Sequence, residues 1–291
     1  MNQYHTSEES LQLLVDSIDL HVHSAPSPFN RALDGMEVIR DAAKYKMAGI
    51  LLKSHYEPTS TRATLINKYS HVSTKAYGGL TLNWPTGGLN PFAVENAVKN
   101  GAKIIWMPTR DAANSLIYGN MPGDFFDRPG ISIFDENQNI KDSVYEIFEV
   151  LKKNPVYLAT GHLSPKESIS LCYEGTKYGI PMILTHPDFP RTRIDLDMQI
   201  EMANLGVMIE KNWFNVANKA ISKELICHSI HHLSTDHVFI ASDRGQAGEE
   251  TPAEAMLLFV ELLLNNNFTH LEIKKMITEN PHTILSGYRK I

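Results

Sequence analysis

Cysteine is scarce in this 291-residue sequence, which has only Cys172 and Cys227 and no CxxC pair. This scarcity excludes a thiolate metal site of the usual spacing and a fold stabilised by many disulfides. Both cysteines fall in segments of helical character, so we expect buried, reduced thiols in a cytoplasmic protein. The amino-terminal segment also lacks the charged and then apolar pattern of a secretory signal.

Long apolar runs and an excess of positive charge are missing as well. The longest apolar stretch, residues 255–264, is interrupted by Glu261 and is too short to cross a bilayer. The net charge is −6 and the 27 Lys and Arg residues are scattered, which argues against a nucleic-acid partner. We therefore expect a small-molecule substrate, no nucleic acid and no membrane, and homo-oligomer formation stays open.

Short apolar runs alternate with amphipathic segments along the whole chain. Runs of four to eight apolar residues bounded by turn formers predict buried strands, and the alternation predicts βαβ units of the α/β class. Eight such units predict one (β/α)8 TIM barrel over residues 1–291, with an open doubly wound sheet as the alternative. No GxGxxG or GxxxxGK[ST] follows a strand, which disfavours nucleotide binding. The predicted strands are 18–23, 49–53, 76–82, 103–107, 156–161, 181–185, 206–210 and 238–242.

One long irregular segment, residues 111–141, follows the predicted fourth strand. It contains several glycines and prolines, and residues 131–140 predict a small hairpin. Loops of this length are usually functional or disordered. At the expected rim of the barrel, this insertion is interpreted either as a lid or as a structural decoration.

Histidine and aspartate stand where several predicted strands end. The first strand contains His21 and His23, whose side chains point to the same side because they are two residues apart. His162, His186 and Asp243 follow the fifth, sixth and eighth strands. Each alone also fits a structural residue at a strand end, but in a parallel barrel all of them meet at the active-site face. Imidazole and carboxylate are ligands of catalytic divalent metals, so we expect Zn²⁺, with Mn²⁺ or Fe²⁺ as alternatives.

These residues resemble the amidohydrolase superfamily of metal-dependent (β/α)8 hydrolases, and the likeness covers nearly the whole chain. It rests on the HxH of the first strand, the later single histidines and aspartate, and Asn280-Pro281 in the last helix. Residues 19–27, which read DLHVHSAPS, also resemble the DxHxHxxPS of an uncharacterised bacterial branch. The flanking β-sandwich of many members is missing, which suggests a compact barrel.

The resemblance implies a role for each of these side chains. His21, His23 and Asp243 would hold one metal ion, while His162 and His186 would hold a second ion or face the substrate. Asp243 would take a proton from the activated water and pass it to the leaving group. His186 or His162 would stabilise the developing oxyanion.

The fourth strand departs from the pattern of two-metal members, because residues 106–109 contain no bridging lysine or glutamate. Lys53, at the end of the second strand, is a candidate replacement if it is carboxylated, since an unpaired buried ammonium is costly. Its alternatives are an ion pair with Asp243 or Glu210, and a substrate-binding cation. His55 is a further candidate ligand. The sequence leaves open whether one or two ions bind.

Side chains at the other strand ends are candidates for substrate contacts. Arg191 and Arg193 follow His186 closely, and several arginines near one mouth suggest an anionic substrate held by guanidinium groups. Solvated loop cations explain the same arginines. The candidate substrate-binding residues are His55, Arg62, Asn83, Trp84, Arg110, Trp213 and Arg244.

The functional prediction is metal-dependent hydrolysis of a C–N bond in a small anionic amide or cyclic amide. Lactone hydrolysis and metal-dependent decarboxylation in the same site are alternatives. A phosphoesterase of the PHP type also begins with HxH, but Asp243-Arg244-Gly245 replaces the expected Asp-x-His. A barrel that binds metal without catalysis is the third class.

Overall fold

The computed structural model of the chain describes residues 6–119, 127–154 and 156–287. Eight parallel strands pair in chain order and alternate with helices, which confirms the predicted (β/α)8 barrel. The strands are β1 Ile18–Val22, β2 Gly49–Leu52, β3 Lys75–Thr81, β4 Ile104–Trp106, β5 Tyr157–Ala159, β6 Met182–Leu184, β7 Met208–Asn212 and β8 Val238–Ala241.

Helices cover the outside of the barrel. In the described ranges each of them is too short or too polar to cross a bilayer. Cys172 and Cys227 are buried as free thiols, as predicted. The helices are α1 Glu8–Leu14, α2 Gly35–Lys44, α3 Ser60–Tyr69, α4 Pro91–Lys99, α5 Ala113–Tyr118, α6 Asp142–Lys152, α7 Pro165–Lys177, α8 Leu196–Asn204, α9 Trp213–Ala217, α10 Lys223–His232, α11 Pro252–Leu264, α12 His270–Lys274 and α13 Asn280–Ser286.

The chain after β8 returns to β1 and closes the barrel. The backbone N–H of Asp243 donates to the carbonyl of His21 at 2.9 Å, and that of His23 donates to Arg244 at 2.8 Å. Gly245 permits this approach, because a Cβ atom there would lie 1.8 Å from the carbonyl oxygen of His23. Closure therefore brings the first and last predicted site residues side by side.

Apolar side chains fill the barrel in two layers. The inner layer includes Ile18, Leu20 and Trp106, and Ile284 and Leu285 of α13 pack against it. A larger outer layer lies between the strands and the surrounding helices. Each fully buried aliphatic or aromatic side chain contributes roughly 1.5–3 kcal/mol, so this core holds the mouth of the barrel rigidly.

The insertion at residues 111–141 is attached to the barrel through α7. The Ser164 side chain caps α7, and Glu167 completes the capping box while also accepting from Ser132 Oγ at 2.6 Å. The predicted hairpin is present as one antiparallel bridge, between Phe134 and Ile140. The part of the insertion at 120–126 lies outside the described residues, and its role as a lid stays a prediction.

Candidate metal centre

A cavity of about 550 Å³ opens at the carboxyl ends of the strands. It brings together all six side chains predicted as metal ligands or catalytic groups, although they come from five different strands or the loops that follow them. The described residues that line it are His21, His23, Phe29, Asn30, Arg31, Lys53, His55, Arg110, His162, His186, Phe189, Arg191, Phe214, Asp243 and Gln246.

His21, His23 and Asp243 form the tightest group of potential ligands. One donor atom from each lies within 4.8 Å of the others. Asp243 Oδ1 is 3.1 Å from His21 Nε2 and 3.2 Å from His23 Nε2. The pairing of β1 with β2 shifts between Asp19 and Val22, so that His21 and His23 face the cavity above the inward-facing Leu20. The predicted convergence of the two imidazoles is therefore observed.

The outer nitrogen of each of these two imidazoles is engaged by an acceptor. His21 Nδ1 lies 2.7 Å from Glu210 Oε1, and His23 Nδ1 lies 3.0 Å from the carbonyl oxygen of Lys53. The carbonyl of Lys53 only accepts, so His23 Nδ1 carries the hydrogen and its Nε2 presents a lone pair; the same holds for His21 when Glu210 is ionised. Two lone pairs and the Asp243 carboxylate then face one another, an arrangement that favours a cation between them.

The protonation states of this group suit a bound cation. Burial lowers the pKa of both His21 and His23 to about 3, so both imidazoles are neutral near pH 7. Burial alone would raise the pKa of Asp243, but the neighbouring His21 and His23 hold it below its usual range. Neutral imidazole and ionised carboxylate are the forms that bind metal, so these residues fit a divalent ion.

Lys53 lies beside this group and contacts an imidazole. Its Nζ is 3.0 Å from His21 Nε2 and 5.2 Å from the ring centroid of Trp106. Burial lowers the pKa of Lys53 to about 8, against the opposing charges of Asp243 and Glu210. An ammonium at this position would compete with a metal for the same lone pair, so Lys53 has to be neutral, displaced or modified when an ion binds.

Three further histidines complete a continuous cluster at the mouth. Ring centroids are 4.8 Å apart for His23 and His55, 6.1 Å for His55 and His162, and 5.1 Å for His162 and His186. The His186 ring lies 5.9 Å from that of His21. Burial lowers the pKa of His186 to about 4 and holds those of His55 and His162 well below the usual value.

Two of the site residues have an uncommon backbone conformation. His186 has φ of +28° and Asp243 has φ of +52°, in the left-handed region that costs a residue other than glycine about 1–3 kcal/mol. Local hydrogen bonds offset this cost: Thr192 Oγ1 donates to the carbonyl of His186, and Asn212 Nδ2 donates to Asp243 Oδ2 at 3.1 Å. The turns after β6 and β8 are thereby held with both side chains in the cavity.

Of the seven predicted substrate contacts, only His55 and Arg110 line the cavity in the described part of the chain. Arg62 forms an ion pair with Glu57 at 3.2 Å. Asn83 is buried behind the cavity, where it donates to the carbonyl of His55 at 3.0 Å. Neither residue lines the cavity: Arg62 is paired with Glu57, and Asn83 supports the neighbouring loops.

The remaining three candidates do not line the cavity either. Trp84 is 42% exposed, and its indole nitrogen donates to the carbonyl of Pro129 at 2.8 Å. Trp213 and Arg244 both donate to Glu250, and Arg244 is only 2% exposed. A strand-end position fixes the height of a side chain in the barrel but not its direction.

Sequence reasoning missed two charged residues of the site. Arg31 lines the cavity from the loop after β1. In the sequence, the proline-rich segment 24–28 of this loop indicates only that the strand ends. Glu210 lies within β7 and holds His21, whereas the sequence suggested it only as a partner of Lys53. The available signal was a carboxylate directly after the apolar residues Val207, Met208 and Ile209, which has to be paired when buried.

Fold and site together define a (β/α)8 barrel with a His-His-Asp candidate metal centre. The chain belongs to a family of unknown function, DUF6282, whose sequence model matches residues 16–210. No curated protein matches the sequence.

Solved structures share the fold at low sequence identity. An amidohydrolase from Pseudomonas aeruginosa is 13% identical, over 97% of this chain and 98% of its own, with a TM-score of 0.64. A lactonase from Listeria monocytogenes is 11% identical, over 95% and 96%, with a TM-score of 0.63. A phosphotriesterase homology protein from Escherichia coli is 11% identical, over 94% and 99%, with a TM-score of 0.59. The resemblance to the amidohydrolase superfamily is thus confirmed at the level of the fold.

Proposed function

We propose that this protein is a metal-dependent hydrolase that cleaves a C–N bond in a small anionic amide or cyclic amide. One observation carries the proposal: His21 Nε2, His23 Nε2 and Asp243 Oδ1 face one another within 4.8 Å. Because both Nδ1 atoms face acceptors, this set of lone pairs and the carboxylate suits a metal ion, provided that Lys53 Nζ, 3.0 Å from His21 Nε2, is neutral, displaced or modified. Zn²⁺ is the ion we expect, since nitrogen and oxygen donors in this combination are common at catalytic zinc sites.

A divalent ion held there would lower the pKa of a water molecule to about 7 and polarise a carbonyl group. The side chains around it supply the proton transfers. Asp243 Oδ2 accepts from Asn212 and is placed to take a proton from water and deliver it to the leaving nitrogen. Its low pKa keeps it ionised before the reaction begins.

The two histidines on the far side of the cavity differ in what they can offer. Thr192 Oγ1 donates to the carbonyl of His186, so it accepts from His186 Nδ1 at 3.3 Å, and His186 Nε2 presents a lone pair. His186 is therefore better suited to bind a metal ion than to donate a hydrogen bond to an oxyanion. Ser115 Oγ lies 3.3 Å from His162 Nδ1 and can donate to it, which leaves the Nε2–H of His162 for the developing oxyanion.

A second ion is part of the proposal only if Lys53 is carboxylated. The added carboxylate would replace the ammonium beside His21 and supply an oxygen ligand, and His186 and His162 would supply nitrogen ligands. In that case Nδ1 of His162 would carry the hydrogen and donate to Ser115, and His162 would not serve the oxyanion. With an unmodified lysine, the cavity suits one ion.

Elemental analysis and turnover assays test the proposed function together. Purified protein should contain close to one or two divalent ions per chain, and chelator treatment should abolish turnover that added metal restores. The substrate panel consists of matched amides, cyclic amides, lactones and phosphate monoesters. Turnover of lactones alone would refute the C–N assignment, and turnover that survives complete metal removal would refute metal dependence.

A further inference from the structure

Three arginines surround the outer part of the cavity. Arg31, Arg110 and Arg191 come from the loops after β1, β4 and β6. Around the closed barrel, the step from β1 to β4 is three strands, from β4 to β6 two, and from β6 back to β1 three. All three side chains line the same cavity above the histidine cluster. A molecule that reaches His21, His23 and Asp243 therefore passes between guanidinium groups on three sides.

Aromatic rings lie close to two of these guanidinium groups. The guanidinium carbon of Arg110 lies 4.4 Å from the ring centroid of Phe29. That of Arg191 lies 5.0 Å from the centroid of Phe189 and 5.1 Å from that of Tyr118. A guanidinium stacked by its face keeps its N–H edge for a planar oxyanion, which it can bind in bidentate fashion.

Two of the arginines also have buried donors that no protein group satisfies. Arg191 is 7% exposed, and its Nε and Nη1 are buried without a hydrogen-bond partner; the Nε of Arg31 is in the same situation. Buried arginines elsewhere in the described residues have carboxylates: Arg128 pairs with Asp111, and Arg244 with Glu250. Unmet donors on a cation are costly, so these donors of Arg31 and Arg191 are available for a ligand to satisfy.

The charges that line the cavity are unbalanced. Four basic side chains, the three arginines and Lys53, line the cavity with one carboxylate, that of Asp243, among the described residues. Even with Lys53 neutral, the three guanidinium groups and a bound divalent ion would leave an excess of positive charge. A neutral amide, or one with a single negative charge, would leave most of it uncompensated.

We propose that Arg31, Arg110 and Arg191 form a subsite that selects substrates carrying two carboxylates. The substrate class is then a small dicarboxylate whose amide or cyclic amide group reaches the histidine cluster. The amide part rests on the proposed function, but the anion subsite does not, because the arginines bind carboxylates whether or not a reaction follows.

The test is direct binding to chelator-treated protein at pH 7.5, so that neither metal nor turnover contributes. Isothermal titration compares three probes of one skeleton, namely succinate, succinamate and succinamide, which carry two, one and no negative charges. Each charge lost should weaken binding about tenfold, as for a hydrogen-bonded charge pair. Equal affinity for succinate and succinamide would overturn the proposal.

Arginine variants locate the binding. Arg31→Met and Arg191→Met keep most of the apolar length and should each weaken succinate binding about tenfold or more, while succinamide binding stays unchanged. Arg62→Met is the matched control, because Arg62 lies outside the cavity and pairs with Glu57. If Arg191→Met does not fold, Arg191→Lys retains the charge without the fork and should still weaken binding. Succinate affinity that is the same in every variant would overturn the proposal.

Two further outcomes separate this inference from the proposed function. Arginine-dependent succinate binding by a protein that holds no metal and hydrolyses no amide would support the subsite and refute the hydrolase. Metal-dependent amide turnover with no preference for dicarboxylates would support the hydrolase and refute the subsite.

The kind of anion is tested separately. Inorganic phosphate that binds through these arginines when succinate does not would overturn the dicarboxylate assignment.

Discussion

Glu210 Oε1 lies 2.7 Å from Nδ1 of His21, and this contact determines which nitrogen of the imidazole faces the cavity. Glu210 comes from β7 and His21 from β1, so the contact joins the two strands on either side of β8. Burial raises the pKa of Glu210 to about 7, while the nearby His186 and Lys53 lower it. A carboxylate behind a ligating histidine orients the ring and increases its basicity.

Replacing this carboxylate should weaken metal binding while the ligands stay in place. Glu210→Gln keeps the shape but removes the charge, and we expect a loss of about 10- to 100-fold in metal affinity. Competition with a chromophoric chelator measures it. Glu136→Gln, on the exposed surface, is the control. Wild-type affinity in Glu210→Gln would show that the contact is only structural.

Asp243 carries the proton transfer in the proposed mechanism. Asp243→Asn should retain the fold, because Asn tolerates the left-handed φ of +52°, and should lower kcat by about 10²- to 10⁴-fold. The assay is run at saturating metal, with metal content and melting temperature measured on the same sample. Near-normal turnover in a metal-loaded variant would show that another group is the base.

His21 and His23 are expected to hold the metal directly. His21→Ala removes one of three donors and should reduce the bound metal well below the wild-type stoichiometry after dialysis. His228→Ala, at an exposed position on α10, should leave it unchanged. Equal metal content in His21→Ala and the wild type would place the ion elsewhere.

The metal-free protein should lose stability as the pH falls. Folding lowers the pKa of His21 and His23 from 6.5 to about 3, so between these values the unfolded chain binds more protons and acid favours unfolding. The other three histidines of the cluster act in the same direction. Asp19 and Glu210 oppose it, since folding raises the pKa of each to about 7, but they are outnumbered.

Thermal melting of chelator-treated protein checks this pH dependence. The melting temperature should fall by several degrees between pH 7.5 and pH 5, because a net uptake of protons on unfolding destabilises the fold. A melting temperature that rises or stays constant over this range would mean that the histidines are already protonated in the folded protein.

The barrel could be predicted from the sequence because strand period and strand-helix alternation are local properties. Each of the eight predicted strands overlaps an observed one. The heights of His162, His186 and Asp243 followed from the same pattern. Their shared cavity required closure of β8 on β1, which the fold class supplies.

Side-chain direction and pairing could not be predicted in this way. Arg244 and Trp213 also follow strands, yet neither lines the cavity and both donate to Glu250. Arg31 reaches the cavity from a loop without periodicity. Such details depend on contacts between residues far apart in the chain, which local patterns do not contain.

An anomalous-scattering map of crystals grown with Zn²⁺ shows directly whether His21, His23 and Asp243 hold a metal ion. We expect a peak about 2.0–2.2 Å from His21 Nε2, His23 Nε2 and Asp243 Oδ1, the usual distances for zinc. A second peak beside Lys53, with added density on its Nζ, would establish two ions and a carboxylated lysine. No peak among these three side chains, with zinc in excess and the site well ordered, would mean that they do not form a metal centre.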